Sequence, residues 1–176
     1  MLPAFEAATL AEMSDVLGDA KMAYVIGALL ALTTLLVAWL TGLDRDRALY
    51  PVMLIVVASY YELFAAMGGP ATALWLEAGV AAIFIASALI GFPRRLWLVA
   101  IGLAAHGGFD LVHPHLIENA GVPEWWPAFC MTFDVVAAAG LALKIFATRR
   151  HPPVAEPGNC RSAGPDRSPE RHHSDR

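Results

Sequence analysis

Apolar side chains along this chain come in blocks that face every direction of a helix, with none of the two-residue alternation of a half-buried strand. Five such blocks occupy residues 22–41, 49–67, 71–92, 96–113 and 125–147. Each is close to the length of about 20 residues that carries a helix across a hydrocarbon layer of about 30 Å. The pattern predicts an all-α integral membrane bundle of five transmembrane helices. Turn-forming residues punctuate it at Gly42 with the Asp44–Arg47 run, at Gly68-Gly69-Pro70, at Pro93-Arg94-Arg95 and from Pro114 to Pro123. Pro114 is expected to end the fourth helix just after His113, and Pro123 to occupy the first turn of the fifth.

An odd number of crossings puts the two ends on opposite sides of the membrane. Basic residues collect in alternate joints: Arg45 and Arg47, then Arg94 and Arg95, then Lys144, Arg149 and Arg150. The excess of Lys and Arg on cytoplasmic loops therefore predicts an outer N-terminus, a cytoplasmic C-terminus and residence in the inner, cytoplasmic membrane. Lys21 is the one charge against this pattern. Residues 1–21 read as an outer-surface leader. Phe5, Met13, Val16 and Ala20 fall near one face there, as in a short interfacial helix. The leader has no basic start and no small-residue cleavage site, so the first helix is expected to remain in the chain. Residues 22–147 form the transmembrane domain. Residues 148–176, with five prolines between Pro152 and Pro169, read as a disordered cytoplasmic tail, in which Cys160, His172 and His173 are solvated.

Composition sharpens this picture. The chain is 57% hydrophobic and 16% charged, with a mean hydropathy of +0.54. A soluble domain carries about 25% charged residues, so an ordinary cytosolic enzyme is excluded. The net charge of −4, without a basic stripe, leaves no footprint for nucleic acid. Cys130 in the fifth helix and Cys160 in the tail lie too far apart along this topology for a disulfide.

Ionisable residues inside these blocks are the candidate chemistry. Each costs at least about 2.5 to 3.5 kcal/mol to insert and is a site hypothesis by default. Lys144 is close enough to the cytoplasmic end to snorkel. Glu62, Glu77, His106, Asp110 and Asp134 remain, and a rise of 1.5 Å per residue puts Glu62, Glu77, His106 and Asp134 about 7 to 13 Å below the outer ends of their own helices. The most specific local pattern is His106-x-x-x-Asp110-x-x-His113, which lines one helical face. Its two histidines are about 10.5 Å apart along the axis, so Asp110 is the natural bridge between them.

So many carboxylates in a dry layer require a cation or protons to balance them. A divalent metal, iron, manganese or zinc, is the simplest solution, with Glu62, Glu77, His106, Asp110, His113 and Asp134 as candidate ligands. Ser59, His115, Asn119 and Cys130 are further pocket candidates. The rival is a protonated hydrogen-bond network that serves as helix glue. Trp125 and Trp126 read as interface anchors, Tyr60 and Tyr61 as packing or belt residues, and Ser59 as a hydroxyl bonded to its own backbone.

With HxxxDxxH in the penultimate helix, an Asn/Gly/Pro loop and a Cys and Asp in the last helix, the chain resembles a group of uncharacterised small bacterial multi-pass membrane proteins. That resemblance implies the compartment and the residue choice, and no reaction. A weaker likeness is to the alkaline ceramidase and progestin-receptor-like superfamily, whose members look like intramembrane zinc amidases using Ser, Asp and three His. This chain departs from it in having five helices and no HxxxH in the last. HExxH, Walker and dinucleotide motifs are absent. The expectation is a membrane protein with a metal site towards the outer leaflet, a metal-dependent hydrolase or oxidoreductase acting on a lipid-like or small hydrophobic substrate. A proton- or cation-handling transport subunit and a structural assembly protein are the alternatives. No residue is assigned a catalytic role.

Overall fold

The structure, a computed structural model, describes the backbone of residues 2–150 and the side chains of residues 18–149. The expectations for the 151–176 tail, and for the side chains of Phe5, Met13 and Val16, lie outside the described residues. Five helices follow one another: α1 Leu2–Thr41, α2 Leu49–Gly68, α3 Ala71–Arg94, α4 Leu96–Leu116 and α5 Trp126–Arg150. A short 3-10 turn, Leu43–Arg45, joins α1 to α2 behind Gly42, the one described residue with positive φ, at 76°. All five helices contain a stretch long and apolar enough to cross a membrane, and no described residue is in a strand. The chain is a multi-pass membrane protein by this criterion.

The helices overrun several of the expected ends. The first span reaches back to Gly18, and α1 continues unbroken to Leu2 through the segment read as a leader. Pro93 sits inside α3 and Pro114 inside α4. Near a helix end, a proline forfeits one hydrogen bond and leaves the following turn free to close. After Pro114 it closes through Ile117 N–H donating to the His113 carbonyl, 3.0 Å. Ile117 is buried against Ala65 and Ala73, and this packing holds the extra turn. At the start of α5, Pro127 rather than Pro123 occupies the first turn.

In the bundle α2 packs on α3, α3 on α4, α4 on α5 and α5 on α1. α4 also touches α2 and forms the centre, whereas among the described residues α1 makes no substantial contact with α2. A cleft is left there. The main core is apolar, built from Leu54, Val57, Ala88, Val99, Leu103 and Leu141 among others. Large apolar residues such as Trp75, Ile83, Ile101 and Leu143 point outwards, the arrangement expected of helices solvated by lipid tails. α1 docks through a stripe of small residues, Ala23, Gly27, Ala31 and Ala38. At Gly27 a Cβ would collide with the Phe129 carbonyl oxygen and Thr132 Oγ1 of α5, so the two backbones meet directly.

The Arg-bearing end is tied by polar contacts. Lys144 of α5 lies 3.4 Å from Asp44 in the 3-10 turn, and Arg47 donates to the Phe92 carbonyl at 3.2 Å. At the opposite end, residues 117–125 fold back over α2, α3 and α4.

Candidate metal centre

Among the described residues the bundle buries five acidic and histidine side chains to 2% exposure or less: Glu77 from α3, His106, Asp110 and His113 from α4, and Asp134 from α5. Their placement follows from helical arithmetic. Residues three, four or seven apart share a face, so His106, Asp110 and His113 turn together towards the middle. Cys130 and Asp134 do the same on α5. The glycine stripe of α4 makes the approach possible, since Gly107 faces the Met131 carbonyl and the Asp134 side chain across the α4–α5 contact.

These residues form two groups. In the first, one potential ligand atom each from His106, Asp110, Cys130 and Asp134 lies within 4.8 Å of the others. His106 Nδ1 donates to Asp134 Oδ2 at 2.6 Å and stands 3.7 Å from Asp110 Oδ2, while Cys130 Sγ is 3.9 Å from Asp134 Oδ2. Two (i, i+4) pairs on facing helices thus close on one point, and this buried quartet can hold a metal ion. In the second group His113 Nε2 donates to Glu77 Oε1 at 2.7 Å, and Asn119 Nδ2 donates to the same oxygen at 3.0 Å. Asn119 also donates to the Tyr61 carbonyl at 3.2 Å, which pins the loop to α2.

Tyr61 joins the two groups. Its hydroxyl donates to Asp110 Oδ1 at 2.7 Å, and its ring lies on the His113 imidazole with centroids 3.9 Å apart. Phe84 and Phe109 close the walls, with the Phe84 ring set edge-on to His106 at 4.8 Å. A cavity of about 670 Å³ opens at the loop end of the bundle, and His113, Asn119, Glu118 and Pro70 are part of its lining. The 117–125 loop roofs the polar layer at that mouth.

Of the six residues expected to bind metal, His106, Asp110 and Asp134 converge, with Cys130 as a fourth member. Glu77 and His113 pair with each other. Glu62 joins neither group: it is half-buried and makes no hydrogen bond among the described residues. α2 instead contributes its neighbour Tyr61, since one residue along a helix is a turn of about 100°. Tyr61 lies on the buried stripe of α2 with Leu54, Val57, Ala58 and Ala65, which the uniformly apolar sequence of this helix does not mark out. Ser59 Oγ bonds its own helix at the Ile55 carbonyl, 2.7 Å, and His115 is exposed.

No family model matches the chain, and neither does any curated protein or solved structure. The site's chemistry is therefore argued from its donors alone. Four buried atoms of the two groups have no partner: Asp110 Oδ2, Asp134 Oδ1, Glu77 Oε2 and His113 Nδ1. A buried acceptor left unmet costs about 1 to 3 kcal/mol, and the two orphaned aspartate oxygens belong to the quartet. A cation ligated by these carboxylates would give the unmet oxygens a partner. Imidazole and carboxylate suit zinc and iron alike.

Tyr61→Phe separates hydroxyl from ring. The stack on His113 survives, while Asp110 loses its single strong donor. Unfolding in detergent should then cost about 1 to 3 kcal/mol less than in the wild type. Unchanged stability would show that the hydroxyl does not hold Asp110.

Proposed function

We propose that this is a five-span protein of the inner membrane with a buried divalent zinc or iron centre, held by His106, Asp110 and Asp134, that acts on a lipid-like substrate. The observation that carries the reading is the convergence of two (i, i+4) pairs on one buried point with an unmet carboxylate oxygen on each aspartate. Charge favours three ligands over four. A neutral imidazole and two carboxylates balance a divalent ion, whereas a Cys130 thiolate would leave a net negative charge in a dry site. Cys130 stays a thiol at the fourth side, and three protein ligands with one open position is the pattern of a catalytic rather than a structural centre.

When bound, such an ion supplies Lewis-acid chemistry. The chain's own residues do the rest. Tyr61 orients Asp110 through its hydroxyl, Phe84 and Phe109 keep the site dry, and the cavity beside His113 gives water a path from the loop end. To ligate an ion, His106 Nδ1 would have to be free of its proton, and its 2.6 Å contact with Asp134 Oδ2 would have to lengthen.

A second reading has that same short contact in its favour. His106–Asp134 and His113–Glu77 are both hydrogen-bonded imidazole–carboxylate pairs, a geometry that serves a metal-free network sharing protons between helices. Metal analysis of the detergent-purified full chain decides. The first reading expects about one zinc or iron per chain, lost in His106→Ala and Asp134→Asn and retained in Cys130→Ser. Metal-free wild type, folded and stable, overturns it in favour of the network. Loss of metal in Cys130→Ser as well would make the centre four-coordinate and structural.

A further inference from the structure

The Arg-bearing end of the bundle, opposite the 117–125 loop, holds a cavity of about 580 Å³ whose charge is all of one sign. Five basic side chains line it: Arg47 just before α2, Arg94 and Arg95 where α3 gives way to α4, and Lys144 and Arg149 near the end of α5. No acid is among the lining residues. Five like charges facing one another raise the energy of the folded chain, and an anion among them lowers it.

Protein contacts hold three of these cations in place. Lys144 is fixed by Asp44 at 3.4 Å, the one acid that pairs with any of the five among the described residues. Arg47 gives one N–H to the Phe92 carbonyl at 3.2 Å and keeps its other guanidinium donors for a ligand. Arg149 lies over the Trp97 ring, 5.9 Å from its centroid, and Trp97 is set edge-on to Phe146. All four arginines are exposed, so a ligand entering the cavity can reach them.

Position decides which anion fits. The spans change over here, with α3 ending at Arg94, α4 beginning at Leu96 and α5 ending its span at Arg149. The cavity therefore sits where hydrocarbon gives way to headgroups. Leu96 and Trp97, the first residues of α4, and Ile145 of α5 supply an apolar part of its wall. An occupant that fits has an anionic head and an apolar body. A membrane phospholipid has both, and its phosphate oxygens match the donor fork of a guanidinium. A zwitterionic headgroup would return a cation to a cationic cavity, so the charge selects an anionic lipid.

We infer that this basic cavity binds the headgroup of an anionic phospholipid, its phosphate held among Arg94, Arg95 and Arg149 and its glycerol resting on Leu96 and Trp97. The site lies at the other end of the bundle from the mouth of the metal centre and does not rest on the metal reading.

Native mass spectrometry of the full chain tests this, with phosphatidylglycerol or phosphatidylcholine of the same acyl chains titrated in neutral detergent. Each Lys or Arg at an anionic surface is worth about fivefold in affinity. Phosphatidylglycerol should therefore bind at least about fivefold tighter than phosphatidylcholine, and Arg149→Gln should weaken it about fivefold. Arg95→Gln should do the same without touching the Trp97 contact. Arg94, Lys144 and Arg150 remain in the same joints, so neither variant loses the charge that orients the chain. Arg45→Gln is the control. It removes an equal charge from the same end but outside the cavity, and salt should hold its effect to less than about twofold. Equal affinity for the two lipids overturns the inference. So does an equal loss from Arg45→Gln and Arg149→Gln, which would mean a diffuse field and no site. Inorganic phosphate in excess, at constant ionic strength, should leave the lipid bound. Displacement by it would make the cavity a site for free phosphate and overturn the lipid assignment.

Discussion

Glu77→Leu should lower the unfolding free energy by about 3 kcal/mol, because it strips the buried His113 donor and the part-buried Asn119 donor of their acceptor at once, at about 1 to 3 kcal/mol for a buried group. His113 Nε2 and Asn119 Nδ2 both end on Glu77 Oε1, so this one oxygen ties α3 to α4 and the 117–125 loop to both. Leucine has no acceptor and is somewhat larger than glutamate, so at this buried position a packing cost adds to the polar loss. Glu77→Leu combined with His113→Phe should recover much of the cost, since replacing both partners by apolar groups is far milder than orphaning one. Tyr61 can stack on the new ring as it does on the imidazole. Equilibrium unfolding in mixed micelles measures all three proteins. A double variant as unstable as Glu77→Leu would mean that the pair does not act as a unit. Metal content should be unchanged throughout, as the quartet contains neither residue.

Gly27→Leu should separate α1 from α5. The obstacle to a side chain at position 27 is the Phe129 carbonyl, which is backbone and cannot move aside by changing rotamer. Overpacking against flexible side chains costs about 1 to 3 kcal/mol, and a backbone clash belongs at or above the top of that range. A loss of about 3 kcal/mol lowers the midpoint of thermal unfolding by about 10 °C for a chain of this size. Gly79→Leu is the control. A Cβ at Gly79 meets nothing, and its surroundings are exposed. The leucine there should face lipid and leave the midpoint within a degree or two of wild type, on the order of a neutral surface change. Equal behaviour of the two variants would show that the Ala23–Ala38 stripe is not the docking face.

The five helices were legible because each block of apolar side chains must hydrogen-bond its own backbone wherever water is absent, and only a helix does so within a single segment. Their ends were less so. Pro93 and Pro114 are local stop signals that packing overrode, visibly so where Ile117 is held against Ala65 and Ala73. The buried ionisable residues were legible as a set, since lipid makes each of them costly and hence conspicuous. How the set divides was not. His106 and His113 sit on one stripe of α4, and nothing in their spacing says that one faces Asp134 and the other Glu77. Glu62 was conspicuous for its charge while Tyr61 was not, and the rotation of α2 put the tyrosine inside.

Read alone, the sequence determined that the chain spans a membrane as helices, and that His106, Asp110 and Asp134 are the polar residues such helices must hide. These are consequences of solvent, which acts on each residue by its composition and period. The tertiary structure decided which hidden groups meet: α4 against α5 assembles the quartet, and α3 with the loop captures His113. It also left α1 and α2 apart, with a cleft beside Cys130. The reason is that a helix's rotation about its own axis and its choice of neighbour are set by close packing between helices, where a step of one residue turns a side chain by about 100°.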